Sequence, residues 1–163
     1  MNPVQKVAAW LRTQKTLGRW ALRAIPDTRR TIQIDPIGAF VIRLRRNRSF
    51  WLRHPLTHEG MVLGSLRRLI RPGDCVYDIG ANIGLYARFM THFGAGRVVA
   101  FEPMSENRPL LLENCRRGGI EDRVTVLPFA LADADGQERF QIDRVTTGSA
   151  ALDRVTAGHA SES

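Results

Sequence analysis

The residues best suited to chemistry are two carboxylates that stand at the ends of short apolar stretches. Asp78 closes the stretch that contains Val76, and Glu102 closes a second one, eighteen residues after Gly84. Apolar strands that alternate with helices form parallel sheets, and such sheets bind ligands at their carboxyl edge. We therefore expect both carboxylates at one edge, with Asp78 projecting beyond the sheet rather than into the core.

Between the two carboxylates lies a glycine-punctuated turn that is expected to lead from a strand directly into a helix. Gly80 and Gly84 suit positive φ angles or a missing Cβ, and Asn82 is the next most tolerant residue type. The pattern Asp-x-Gly-x-Asn-x-Gly differs from the Gly-x-Gly-x-x-Gly of dinucleotide loops, which cradle a pyrophosphate. An ordinary tight turn without a ligand is the alternative.

The charge of this turn indicates which nucleotide it suits. The carboxylate of Asp78 would repel a phosphate but would attract a cation, such as the amino group of a methionyl moiety. An acid at the end of the second strand, here Glu102, typically accepts hydrogen bonds from ribose hydroxyls. The sequence therefore predicts an S-adenosylmethionine site rather than an NAD site, with Asp78, Gly80, Asn82, Gly84 and Glu102 as binding residues.

At these motifs the chain resembles a known family. The run GDCVYDIGANIGLY at positions 73–86, followed by VAFEP at 99–103, is similar to the FkbM-type S-adenosylmethionine-dependent methyltransferases. The similarity covers residues 37–152. It implies a class I methyltransferase fold and transfer of the cofactor's methyl group, usually to a hydroxyl oxygen of a sugar or natural product.

The resemblance adds two candidate cofactor-binding residues. Glu59 matches an acid that is common in the family just ahead of the cofactor loop, although it could also simply compensate a helix dipole. Asp133 occupies the loop after the third strand, where an acid could accept a hydrogen bond from the adenine amino group. Ordinary turn chemistry is the other explanation for Asp133.

The elements that must position these residues follow from the apolar pattern. We expect a basic amphipathic helix and linker at 1–30, an antiparallel β meander at 31–56, a partial Rossmann-like domain at 57–152 and a tail at 153–163. Parallel strands are predicted at 75–79, 97–102 and 123–128. The fold class is thus α/β, an incomplete class I methyltransferase sheet preceded by a helix and a small meander.

Local signals also place side chains within these elements. A helix from Thr57 to Ile70 is expected to bury the stripe formed by Met61, Leu63, Leu66 and Ile70, and Ser105 is expected to cap a later helix. Asn107 and Asn114 are predicted to lie at the surface or just behind the site. His54 and His58 lack a second pair of ligands with metal spacing, so no metal site is predicted.

Charge is distributed unevenly along the chain. Residues 1–72 carry 15 basic and 3 acidic side chains, a net charge of +12, whereas residues 73–163 carry 9 and 13, a net charge of −4. A solvated basic surface is the default, with nucleic acid or an anionic membrane as alternatives. The helix at 3–25 could accordingly pack on the domain, or lie on a membrane surface or a partner.

The compartment and the partners follow from the same features. The thiols of Cys75 and Cys115 are expected in the core, which suits a reducing cytoplasm, with a membrane-peripheral location if the helix at 3–25 lies on a bilayer. The predicted partners are a small-molecule or glycan acceptor, without nucleic acid. An oligomer is expected to cover the exposed edge of the sheet.

The family motif of the fourth strand, Lys-Ile-Asp-Val-Glu-Gly-Ala-Glu-like, is absent from the sequence. We therefore expect a truncated chain that holds the cofactor-binding half, with no catalytic base assigned. Three hypotheses remain open: a truncated FkbM-like methyltransferase, a catalytically inactive cofactor-binding module that works with a partner chain, and a basic protein that binds nucleic acid or membrane through residues 1–53.

Overall fold

The computed structural model describes residues 26–48, 50, 55–133, 140–142 and 150–152 of the 163-residue chain. The predicted helix at 3–25, His54 and the tail at 153–163 lie outside the described residues. The proposed division of the chain into four segments stays a prediction. Among the described residues, no helix combines the length and the hydropathy that crossing a membrane requires.

The described chain begins with an antiparallel hairpin formed by β1 (Arg29–Ile34) and β2 (Gly38–Arg43), in which Ile34 lies opposite Gly38. Phe40, Val41 and Ile42 of β2 are all buried, so both faces of this strand are covered. Gly38 adopts a positive φ of 75° at the turn, which its lack of a Cβ permits.

The meander was expected to continue into a third arm through Phe50 and Leu52, and this prediction is wrong at Phe50, whose backbone is helical. A turn at 44–48 ends the hairpin instead. The Asn47 side-chain oxygen accepts a hydrogen bond from the Arg43 N–H at 2.9 Å, and the Phe50 N–H donates to the Asn47 carbonyl at 3.0 Å. Leu52 lies outside the described residues.

The centre of the fold is a three-stranded parallel sheet in the order β3 (Cys75–Ile79), β4 (Arg97–Phe101) and β5 (Val124–Leu127). All three strands confirm the predicted positions to within one residue at each end. The remaining elements are α1 (Pro55–Leu69), α2 (Leu85–His92), α3 (Arg108–Arg117), a 3-10 helix (Glu121–Arg123), and an antiparallel pair of strands, β6 (Phe140–Ile142) and β7 (Ala150–Leu152).

Helices α2 and α3 cover one face of the parallel sheet. Met90 of α2 packs with Val98 of β4, and Leu111 of α3 packs with Ala100. On the opposite face Tyr77 and Ile79 are 63% and 65% exposed. Parallel sheets normally bury both faces. Among the described residues, this apolar face of the sheet is therefore unusually exposed to solvent.

Two side-chain placements and one helix start differ from the sequence predictions. Met61 is 87% exposed, because it lies two residues from the buried Leu63 and positions two apart on a helix point in different directions. Cys75 is exposed because it lies on the uncovered sheet face, whereas Cys115 is buried as expected. The third helix, α3, begins at Arg108, three residues after the expected cap at Ser105.

Candidate cofactor site

The glycine-punctuated turn joins β3 to α2 and contains three left-handed residues. Gly80, Asn82 and Gly84 have φ angles of 79°, 50° and 87°. These are the three positions at which the sequence predicted conformational tolerance. The N–H groups of Gly80 and Ala81 both donate to the Phe101 carbonyl, at 2.9 and 3.0 Å, so the turn is tied to the end of β4. We call residues 80–84 the cofactor loop.

Glu102 holds the cofactor loop from the next strand. One carboxylate oxygen accepts the Asn82 N–H at 2.7 Å, and the other accepts the Met104 N–H at 2.9 Å and the Asn107 side-chain amide at 3.2 Å. The side chain is buried. A carboxylate offers about four acceptor positions, so one remains for a ligand hydroxyl.

Asp78 is buried rather than projecting beyond the sheet, which corrects the sequence prediction. The residue is 4% exposed, because the cofactor loop and the start of α2 enclose the end of β3. Burial raises the pKa of Asp78 to about 6; the Ala87 N–H lowers it, and the charge of Glu102 raises it further. One oxygen, Oδ2, is buried and has no hydrogen-bond partner among the residues that the structure describes.

Glu59 reaches the same region from α1. It accepts a hydrogen bond from the hydroxyl of Tyr86, which lies in the first turn of α2. The pKa of Tyr86 is raised by burial and by its contact with Glu59, and further by the charge of Asp78. Glu59 and Asp78 thus lie beside the first turn of α2, and Glu102 lies beside the cofactor loop that precedes it. No role in the site was predicted for Tyr86 from the sequence, although its place directly after the loop was visible.

Asp133 lies in the exposed segment after β5. The predicted contact of Asp133 with adenine therefore stays a prediction. No group of three or more His, Cys, Asp and Glu side chains among the described residues is arranged to hold a metal ion. The site consequently consists of the cofactor loop and the carboxylates around it.

The chemistry of these groups fits S-adenosylmethionine. Asp78 Oδ2 and Asn82 Oδ1 are buried acceptors without a partner among the described residues. Buried acceptors of this kind are costly unless a ligand supplies donors, and an ammonium or hydroxyl group would do so. Three nearby carboxylates favour a cation and disfavour a phosphate. The residues therefore fit a cationic nucleoside such as S-adenosylmethionine.

The fold and the loop define the class: this is a class I methyltransferase fold with an S-adenosylmethionine-type cofactor loop. Similar solved structures show this fold. The Pyrococcus horikoshii TYW2 in complex with MeSAdo matches with a TM-score of 0.52 and 21% sequence identity, covering 68% of this chain and 39% of that one. The predicted fold class is thereby confirmed.

Two relatives with similar sequences are named as methyltransferases. The ribosomal protein L11 methyltransferase of Chloroflexus aurantiacus is 36% identical over 82 residues, which is 48% of this chain and 23% of the relative. That of Pelotomaculum thermopropionicum is 34% identical over 67 residues, which is 41% and 22%. The chain thus spans less than a quarter of the curated relatives it matches. No family model matches the chain.

These findings confirm some predictions and overturn one. The class I methyltransferase fold is confirmed, and both relatives are named as methyltransferases, in agreement with the predicted activity and its cofactor S-adenosylmethionine. The prediction of a small-molecule or glycan acceptor, with no nucleic acid involved, is wrong, because the relatives are named for a ribosomal protein. The resemblance to the FkbM family rests on the motif residues alone and stays a prediction.

Proposed function

We propose that the chain binds S-adenosylmethionine at the cofactor loop and supplies the cofactor site of a methyltransferase that acts on a macromolecule. One observation carries this proposal. Asp78 Oδ2, near the end of β3, and Asn82 Oδ1, in the left-handed turn that Glu102 ties down, are buried and have no hydrogen-bond partner among the described residues. Such acceptors need donors, and the cofactor brings them.

Each binding residue has a role that its contacts support. Asp78 and Asn82 accept hydrogen bonds from the ammonium group of the methionyl part, and Glu102 uses its remaining acceptor position for a ribose hydroxyl. Glu59, oriented by Tyr86, adds negative charge beside the same group. Asp133 is proposed to lie beside the adenine.

Bound S-adenosylmethionine supplies an electrophilic methyl group on a sulfonium ion. The side chains named above bind and orient; a general base is not among them. The carboxylates of Glu59, Asp78 and Glu102 stabilise the positive charge of the ligand because they are partly or fully removed from water. The geometry of Glu102 is preset, since three protein donors already hold its carboxylate.

The proposed acceptor is a protein, and the relatives support this choice because they are named for ribosomal protein L11. RNA is the second candidate, favoured by the net charge of +12 in residues 1–72. The motifs at 73–86 and 99–103 support the narrower proposal of an FkbM-type enzyme in which oxygen receives the methyl group. A cytoplasmic location is proposed with it.

A methyl-transfer assay tests the proposal. The purified chain is incubated with methyl-labelled S-adenosylmethionine and, separately, with ribosomal protein L11 and with total RNA. We expect label in the protein fraction. Glu102→Gln should reduce this label, whereas Glu121→Gln, a matched change at an exposed position of the 3-10 helix, should not. Label only in RNA would select the second candidate. Cofactor binding without transfer to either would indicate the inactive module that works with a partner chain.

A further inference from the structure

A buried amide connects the hairpin to the cofactor loop. Asn114 of α3 is 0% exposed, and its side-chain oxygen accepts the Val41 N–H at 2.7 Å. Its side-chain nitrogen donates to two carbonyls, that of Val41 at 3.0 Å and that of Ile83 at 2.9 Å. One side chain thus satisfies both backbone groups of a β2 residue and, at the same time, a carbonyl of the cofactor loop.

A buried guanidinium makes a second connection from α2. Arg88 donates to the Ala39 carbonyl at 2.6 Å, to the Ile37 carbonyl and to the Asn114 carbonyl at 3.3 Å. Gly118 leaves the necessary room, since a Cβ there would lie 2.6 Å from Arg88 Nε. The helix that follows the cofactor loop is therefore fixed to the hairpin as well.

Apolar packing joins the same parts. The hairpin and the cofactor loop share one hydrophobic cluster rather than two adjacent ones, and its buried members include Ile34, Phe40, Ile42, Ile83 and Leu85. On the other side of the loop, a Cβ at Gly84 would lie 3.3 Å from Leu111 Cγ of α3. The second half of the cofactor loop is thus enclosed by the hairpin and α3.

We propose that Asn114 is a positioning residue that makes the hairpin part of the cofactor site. The same buried amide of Asn114 bonds to Val41 of the hairpin and to the Ile83 carbonyl of the cofactor loop. Because the amide is buried and fully engaged, the hairpin cannot move away from it without disturbing its bond to the loop. Movement of the hairpin and of the cofactor loop is consequently coupled. The relevance to the cofactor rests on the proposed function, whereas the coupling between hairpin and loop does not.

Hydrogen exchange on the full chain without ligand tests the coupling. Asn114→Asp keeps the size and one acceptor but replaces the two donors toward Val41 and Ile83. We expect exchange to accelerate about tenfold or more in peptides covering both 38–43 and 80–85. The control is Val98→Ala, which opens a buried cluster that contains neither segment and should leave both rates nearly unchanged. Acceleration confined to 38–43 would overturn the proposal.

Cofactor affinity provides the second readout. Asn114→Asp is expected to weaken S-adenosylmethionine binding about tenfold, whereas Val98→Ala retains it in the folded protein. Equal affinities for Asn114→Asp and the unmodified chain would reduce Asn114 to a structural role. If the unmodified chain does not bind the cofactor, the proposed function fails, but the exchange rates still decide the coupling.

A second variant covers the case in which Asn114→Asp does not fold. Arg88→Lys keeps the charge but loses the planar group that reaches Ala39 and Ile37 together. Loosening the hairpin from this side should also accelerate exchange at 80–85. If a folded Arg88→Lys chain shows faster exchange in the hairpin but unchanged exchange at 80–85, the proposed coupling is contradicted.

Discussion

The buried carboxyl of Asp78 predicts that cofactor affinity depends on pH. Its pKa is raised to about 6, chiefly by burial, so the group changes charge in a range where other carboxyls are already ionised. Tyr86, Glu59 and Glu102 surround it, and the proposed ligand group is a cationic ammonium. Only the ionised form of Asp78 attracts that ammonium, so affinity should rise with pH.

The size of the effect follows from the titration. With a pKa of about 6, roughly a tenth of Asp78 is ionised near pH 5 and roughly nine tenths near pH 7. The dissociation constant for S-adenosylmethionine should therefore fall about tenfold across this range. Asp78→Asn cannot ionise, and its affinity should be weak and flat with pH.

Stability should change in the opposite direction. The pKa of Asp78 is about 6 in the folded chain and about 4 in the unfolded chain. Between these pH values the folded chain binds the proton more tightly, so stability falls as pH rises. The difference corresponds to about 3 kcal/mol at neutral pH. Asp78→Asn should accordingly be more stable than the unmodified chain near pH 7, yet bind the cofactor less tightly.

Calorimetric titrations at several pH values, with urea unfolding at the same values, measure both effects. Parallel pH dependence of affinity in the unmodified chain and in Asp78→Asn would refute the assignment of the ammonium to Asp78. A less stable Asp78→Asn near pH 7 would refute the view that burial of its charge destabilises the ligand-free chain.

Three further substitutions have defined outcomes. Gly84→Ala should destabilise the chain by about 1–2 kcal/mol in urea unfolding, because φ is 87° and the new Cβ would lie 3.3 Å from Leu111 Cγ; an unchanged midpoint would contradict this. Glu102→Gln should weaken cofactor binding about 10- to 100-fold by calorimetry, since it loses a charged acceptor; retained affinity would exclude its ribose role. Tyr86→Phe should cost about 1 kcal/mol, measured by thermal unfolding, through loss of its bond to Glu59, and a gain in stability would refute this.

Local chemistry explains what the sequence predicted well. Glycine and asparagine were expected at left-handed positions, and Gly80, Asn82 and Gly84 adopt them. The parallel strands were recognisable because short apolar runs end at turns or acids, and β3 runs over the residues predicted, Cys75–Ile79. Glu102 was expected at the end of the second strand, and its main-chain N–H bonds to Leu127 of β5 there.

Long-range packing explains what the sequence could not predict. Asn114 was expected at the surface or just behind the site, but its partner Val41 is 73 residues away, and no local pattern indicates that contact. Asn107 donates to Glu102 from the end of a turn, which depends on where α3 begins. The burial of Asp78 likewise depends on how the cofactor loop encloses the end of β3.

The acceptor was the largest error. The expectation of a small molecule or glycan came from the resemblance of the cofactor motifs, and those motifs describe how a cofactor is held, not what receives its methyl group. The relatives corrected it through their names for a ribosomal protein.

The central claim is that the cofactor loop binds S-adenosylmethionine, and calorimetric titration of the cofactor into the full chain near pH 7 tests it most directly. We predict saturable binding of one cofactor per chain, weakened by Glu102→Gln and unaffected by Glu121→Gln. Absence of binding by a chain that circular dichroism shows to be folded would contradict the claim.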